Sequence, residues 1–275
     1  MASLKILLLT DFSNLSKVAI DFGIKMSEQL DAELTILHGV RIDGASKANL
    51  RWRKIEREVT KIATEEGQKL VKSLKGKSKL PITFKTAPVH TMADMVTKYT
   101  NKNLTSLVIM GSQGASNLKM VRMGGTTVSV IDKISCPVLA IPESATFKGF
   151  KHAVYASDLK NIQKELDTIL PFAKIFDTHV HMVHIAKQAD AELEKAKAAA
   201  IEKVAKMRYP KIDFQILVNE DIPLAIDQYI KDTKSEVLIT FTHELNIFEK
   251  LFSLSVTRKL AYRAKTPLFA FKRKK

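Results

Sequence analysis

The residues best suited to chemistry lie in one stretch, Met110-Gly111-Ser112-Gln113-Gly114, continued after nine residues by Gly124-Gly125-Thr126-Thr127. Glycines at 111 and 114 permit positive φ and let backbone amides come close to a ligand. Gly124-Gly125-Thr126-Thr127 then opens a helix. Free N–H groups, hydroxyls and the positive end of a helix meet there, which makes an anion site suited to a phosphate. Read alone, the same glycines serve equally well as two turns, one ending a strand and one starting a helix. No Walker A lysine accompanies them. Nor is there a Ser-His-Asp order around a nucleophile elbow, or a pair of carboxylates near the loop. If the loop holds a phosphate, these residues suit binding it rather than transferring it, and the reading as two turns stays open.

Other candidates carry weaker chemistry. His179-x-His181 falls on a strand pattern, where i and i+2 share a face, and two imidazoles can begin a metal site. His184 points to the other face, and no nearby cysteine or evident carboxylate completes the set, so no metal site is expected. His38 and His184 stand at equivalent strand ends, which favours a repeated structural hydrogen bond. Cys136, the single cysteine, excludes an internal disulfide; set before Pro137 at a strand start, it reads as buried and inert. Arg51-Trp52-Arg53-Lys54 reads as a tryptophan anchoring an amphipathic helix beneath solvated cations, rather than as a stacking platform for nucleic acid. Met120 and Met123 flank the loop and read as lid or packing residues rather than as ligands.

The elements that must position these residues occur twice. In the first half, strand-like runs Leu4–Leu9, Leu34–Leu37, Ile82–Phe84, Leu107–Met110 and Val138–Ile141 alternate with helical patterns over Lys17–Leu30, Lys47–Leu74, Met92–Tyr99 and Thr127–Lys133. That alternation predicts a parallel sheet covered by helices on both faces. The second half repeats it: Ala153–Tyr155 before Ser157-Asp158 echoes Leu7–Leu9 before Thr10-Asp11, and Val183-His184 echoes Leu37-His38. Leu193–Met207 is a long helix, Ile212–Leu217 the third strand, Ile222–Ile230 a helix, Val237–Thr240 the fourth strand and Pro267–Phe271 the fifth. Cys136–Ile141 aligns with Thr266–Phe271 at an offset of 130, against 146 to 147 near the start. Pro171 falls inside the first helix of the second half, where it should kink or end it. The expectation is two tandem doubly wound, five-stranded parallel-sheet domains of Rossmann-like type, 1–145 and 150–275, with a short linker near Pro142–Lys151.

Composition narrows the class. A length of 275 residues with 45% hydrophobic content suits two domains. No long apolar run predicts a membrane span, and the N-terminus does not have the order of a signal peptide; a cytoplasmic location is the expectation. The net charge of +15 is spread evenly, with 21 Lys/Arg against 13 Asp/Glu in residues 1–146 and 23 against 16 in 147–275. Even spreading argues against a specific nucleic-acid surface. Lys272-Arg273-Lys274-Lys275 is the one compact basic run and reads as a solvated tail.

The spacing G-x2-G-x9-G, followed by Cys136-Pro137-Val138-Leu139-Ala140-Ile141-Pro142, resembles the ATP-binding signature of the universal stress protein family. Leu9–Ser13 resembles that family's first strand and loop, and Leu37-His38-Gly39-Val40 the end of its second strand. The resemblance covers the first half in order, and the second half fits the same fold, as in tandem members. It implies a site for ATP or AMP, with Mg²⁺ compatible though no carboxylate cage is visible. Asp11 would lie near the ribose and adenine, with the Gly39 and Val40 backbone lining the base pocket. Met110 and Gly111 would border the ribose, and Gly114, Gly124, Gly125, Thr126 and Thr127 would cradle the phosphates. Two positions depart from the family: Gly125 stands where Ser or Thr is usual, and Gly39 where valine is usual.

The second copy lacks the loop. Phe241 falls opposite Gly111, Glu244 opposite Gly114 and Leu254 opposite Gly124, so a carboxylate stands where a phosphate would lie. Ser255 and Thr257 remain as helix caps, and Asp158 remains opposite Asp11. The expectation is a stress-response regulatory protein binding one adenine nucleotide, in the first domain, and not an enzyme. A nucleotide-independent interaction scaffold and a slow ATPase are the alternatives. The family resemblance implies a homodimer or an intrachain pseudo-dimer in which Val138–Ile141 faces Leu268–Phe271.

Overall fold

Residues Lys5–Thr10 form β1, whose Ile6–Leu9 run is buried throughout, the signature of a strand covered on both faces. A computed structural model describes residues 3–41, 50–112, 124–242 and 266–273, without the side chains of 50–53. After β1 come α1 (Asn14–Leu30), β2 (Glu33–Arg41), α2 (Leu50–Ser73), β3 (Ile82–Val89), α3 (Met92–Asn103), β4 (Leu107–Gly111), α4 (Gly125–Lys133) and β5 (Val138–Ile141). The strands lie in the order β3-β2-β1-β4-β5, with every neighbouring pair parallel. Order reverses between β1 and β4. In open sheets of this kind the crevice beyond the carboxyl ends of those two strands is where ligands bind.

Local chemistry explains the helices. Ser13 caps α1 by accepting from the Ser16 amide, and Thr91 caps α3 by accepting from the Asp94 amide. On α1 the buried face includes Ile20, Ile24 and Met26; a Cβ on Gly23 would come within 2.5 Å of Leu8 Cδ2, so a larger residue there would oblige Leu8 to shift. The same holds for Gly67 of α2 against Phe84 of β3.

The described residues group into two compact units that divide between Thr146 and Phe147, inside the Pro142–Lys151 stretch. The second unit contains β6 (His152–Ala156), α5 (Ile162–Phe176), β7 (His179–Ala186), α6 (Ala191–Ala205), β8 (Ile212–Val218), α7 (Ile222–Asp232), β9 (Val237–Thr242) and β10 (Leu268–Lys272). Its strands run β8-β7-β6-β9-β10, also parallel, which repeats the first unit's order. Left-handed backbone recurs at matching places: Phe12 and Leu159 at φ 63 and 64, Asp31 and Asp177 at 48 and 54, Leu104 and Lys234 at 52 and 53. Each such residue costs energy and persists only where its surroundings demand it. The repetition of three therefore shows that the duplication extends to loop geometry.

Pro171 does not end its helix. α5 runs on to Phe176 because Ile169, Leu170, Ala173 and Phe176, on both sides of the proline, are buried, and their packing outweighs one lost backbone hydrogen bond.

Candidate functional site

At the carboxyl end of β1 the chain turns sharply through Phe12. Thr10, itself buried, receives the Phe12 amide on Oγ1 at 3.0 Å and pairs with Ser16 Oγ at 3.0 Å. His38 at the end of β2 contributes Nδ1 to the Thr10 carbonyl at 2.9 Å, while its ring lies 4.5 Å from that of Phe12. The turn presents Asp11 outward, with Oδ1 accepting from the Ser13 amide at 3.0 Å. Burial works to raise the Asp11 pKa, but hydrogen bonds from Ser13 and Ser16 outweigh it and hold the carboxyl below its ordinary value. Asp11 is therefore an exposed anion just past the carboxyl end of β1, suited to accepting from hydroxyl groups.

Across the crevice, β4 ends at Gly111. Ser112 bonds through its amide to the Ile141 carbonyl at 2.8 Å, and its own carbonyl receives the Gly124 amide at 2.8 Å. The two ends of the intervening loop are thus fastened to each other. α4 begins beyond Gly124 with no side-chain cap, unlike α1 and α3, and a helix start of that kind can offer its first amides to an anion. Gly125 and Thr126 are exposed there. A Cβ on Gly125 would meet nothing within 4 Å, so the departure from the family's usual hydroxyl residue leaves open room.

The expected constellation is brought together in part. Asp11, Gly111, Gly124, Gly125 and Thr126 surround the ends of β1 and β4. Met110 is buried in β4, and Gly39 and Val40 lie in β2 opposite Ala87 and Pro88. A Cβ at Gly39 would come within 3.2 Å of Met92 Cε and Met95 Sδ, which fill the space a larger residue would take. Thr127 departs from expectation: it is 1% exposed and donates its hydroxyl to the Gly111 carbonyl at 3.1 Å. Its helical position, one turn-third past Thr126, points it into the core, so it ties α4 to β4 instead of reaching a phosphate. Gly114, Met120, Met123, Glu244, Leu254, Ser255 and Thr257 lie outside the described residues, as does the Trp52 side chain. Cys136 is half-exposed where burial was expected; its thiol is pushed up to about 11 by desolvation, consistent with an unreactive group.

In the second unit the equivalent turn is intact. His184 Nδ1 meets the Ser157 carbonyl at 2.8 Å, and Asp158 Oδ1 accepts from the Lys160 amide at 3.1 Å. The repeated histidine bond expected from the sequence is present in both copies. The crevice, however, is filled. Arg273, directly after β10, reaches Asp158 with two nitrogens at 2.8 and 3.1 Å and Glu165 of α5 through Nε at 2.5 Å. Its side chain is 8% exposed and that of Glu165 2%. Tyr155 donates to the other Glu165 oxygen, and Phe241, at the position of Gly111, stacks on Phe271 at 5.3 Å. Burial raises the Glu165 pKa against the pull of Tyr155 and Arg273; burial also works to raise the Asp158 pKa, but hydrogen bonds from Arg273 and the Lys160 amide, together with the charges of Arg273 and Lys160, outweigh it and hold that carboxyl below its ordinary value. Arg273 is thus not part of a solvated tail. An apolar strand followed by a basic run resembles a tail in sequence, and only the partners Asp158 and Glu165, more than a hundred residues away, reveal the ion pair.

A second correction concerns the histidines. A carboxylate does complete the His179/His181 pair: Asp213 of β8 stands opposite His181 in the strand register. Asp213 Oδ2 lies 2.8 Å from His179 Nε2 and 2.7 Å from His181 Nδ1, and His152 Nδ1 lies 3.1 Å from His181 Nε2. Sequence distance hid this contact, since strand pairing alone joins residues 181 and 213.

No described helix is long and apolar enough to cross a membrane. Residues 3–142 match the family model described as the universal stress protein family. A universal stress protein of Methanocaldococcus jannaschii is 29% identical over 154 residues, covering 50% of this chain and 93% of its own length. One from Bacillus subtilis strain 168 is 26% identical over 148 residues, covering 50% of this chain and 97% of its own. Among solved structures, a universal stress protein from Archaeoglobus fulgidus covers 100% of both chains at TM-score 0.74 with 16% identity, a likeness of fold. With the matched region spanning half of the chain and the fold shared along all of it, the chain belongs to the universal stress protein family.

Proposed function

We propose that the first unit binds one adenine nucleotide, ATP or AMP, in the crevice beyond β1 and β4, and that the protein acts as a nucleotide-responsive regulator rather than a catalyst. The observation that carries this reading is the contrast between two equivalent acids. Asp11 makes no ion pair among the described residues and accepts only from its own turn, whereas Asp158 is occupied by Arg273. Asp11 is placed to accept from the ribose hydroxyls, and the Gly39–Val40 backbone to border the base. The uncapped start of α4, with Gly124, Gly125 and Thr126, is placed to receive the phosphates. Mg²⁺ would enter with the phosphates it neutralises. Assigning Asp11 to the ribose side takes it away from the water-orienting role that hydrolysis needs, which favours binding over hydrolysis.

Calorimetric titration with ATP and with AMP tests the reading on the wild type and on Gly114→Glu, which copies the second unit's residue into the loop. Saturable binding by the wild type, weakened at least tenfold in the variant, is expected. No binding by the wild type overturns the proposal, and equal binding by both moves the site elsewhere.

A further inference from the structure

Three histidines and an aspartate meet at the amino-terminal ends of β6, β7 and β8, the opposite end of that sheet from the crevice closed by Arg273. Register explains the meeting. His152 stands opposite His179, and His181 opposite Asp213, while His179 and His181 are two residues apart, so all four share one face. The rings are layered, with centroids of His179 and His181 at 4.4 Å and those of His152 and His181 at 5.4 Å, both 10° from parallel.

We infer that His179, His181 and Asp213 form a binding site for a divalent transition-metal ion of the zinc type. One donor atom from each lies within 4.8 Å of the other two. A tetrahedral zinc ion with bonds of about 2.0–2.2 Å holds its donors roughly 3.3–3.4 Å apart. The His179–Asp213 and His181–Asp213 contacts, at 2.8 and 2.7 Å, need to open by only about 0.6 Å to reach that spacing. Rotamer adjustment of side chains that are 37% and 42% exposed, at His179 and Asp213, supplies such a movement. Hydrogen bonding alone leaves the cluster incomplete. Both imidazoles crowd onto Asp213 Oδ2, while Asp213 Oδ1 is covered and within hydrogen-bond distance and geometry of no partner among the described residues. A cation shared by the three side chains satisfies a carboxylate in that state and removes the crowding of neighbouring imidazoles.

The donor set selects the metal class. Two imidazoles with one carboxylate suit zinc and its neighbours, whereas magnesium and calcium require oxygen. His152 acts as a positioning residue. With the metal on His181 Nδ1, the remaining proton of that ring sits on Nε2 and is donated to His152 Nδ1, which fixes ring and tautomer. Beside His181 and Asp213 a groove of about 760 Å³, also lined by Gln215 and Tyr229, gives water or a small ligand access to the open coordination position.

The test uses the full chain freed of any affinity tag, titrated with ZnCl₂ alone by calorimetry and with Co²⁺ followed by visible absorption. One zinc per chain is expected, with cobalt bands of four- or five-coordinate intensity and no displacement by millimolar Mg²⁺. Asp213→Asn, a conservative change, and His179→Ala with Asp213→Ala should each weaken uptake at least 100-fold with melting curves kept. His152→Ala should weaken it about 10- to 100-fold. Absence of zinc uptake by the wild type, or uptake unchanged in both Asp213 variants, overturns the inference.

Discussion

Replacing Arg273 by methionine separates a closed second crevice from a solvated tail. The guanidinium holds Asp158 with two nitrogens and Glu165 with a third, and removing it strands the Glu165 carboxyl, 2% exposed, against Tyr155. Breaking a buried pair by deleting one partner costs about 3–5 kcal/mol. Two features place the expected cost at the lower end. Asp158 is 20% exposed and regains water, and Glu165 keeps the Tyr155 hydroxyl as a hydrogen-bond donor. A loss of about 3 kcal/mol at neutral pH follows. For a unit of this size that lowers the melting temperature by about 10 °C. Differential scanning calorimetry on the full chain, with hydrogen exchange on peptides of α5 and β10 to assign the transition, reads it directly. Adding Glu165→Gln to Arg273→Met should restore at least half of the loss, because no buried charge then remains beside Tyr155. A fall below about 1 kcal/mol, in the range of exposed pairs, would refute the reasoning and return Arg273 to the solvent.

Further outcomes follow from the same contacts. Thr127→Val keeps the shape of a side chain that is 1% exposed but removes its bond to the Gly111 carbonyl, so urea unfolding should show a loss of about 1–2 kcal/mol. Gly125→Ser enters open space at the first turn of α4; stability should stay within about 0.5 kcal/mol, and ATP should bind a few-fold more tightly in calorimetry as the new hydroxyl meets phosphate. Asp158 has a depressed folded pKa, so its stabilising contribution is complete above the ordinary carboxylate value of about 3.9 and fades as pH falls through the lower folded value. The stability gap between wild type and Asp158→Asn should accordingly narrow below about pH 4 in thermal melts taken from pH 2 to 7.

The buried strands were plain in the sequence; of the half-exposed edge strands, β8 was nearly complete as Ile212–Leu217 and β3 was not. Val138–Ile141 is recovered residue for residue because all four of its side chains are buried and apolar. β3 reads only as Ile82–Phe84 yet extends to Val89; as an edge strand it alternates covered and open positions, so Lys85, Thr86 and Pro88 carry no apolar signal. The turn after β1 was legible because Asp11 and the His38 bond recur as Asp158 and His184. Thr127 was misread because a helix start places two adjacent threonines on different faces, one toward solvent and one toward Gly111. Arg273 and Asp213 escaped for a shared reason: the partners of each lie far along the chain, and spacing in the sequence holds no record of which strand ends the sheet brings together.

Equilibrium dialysis with labelled ATP, counting nucleotides per chain at saturation, addresses the uneven pair of crevices most directly. The account predicts one nucleotide per chain for the wild type, none for Asp11→Ala, and one still for Asp158→Asn. A count of zero or two in the wild type, or loss of binding through Asp158→Asn with Asp11→Ala intact, would contradict it.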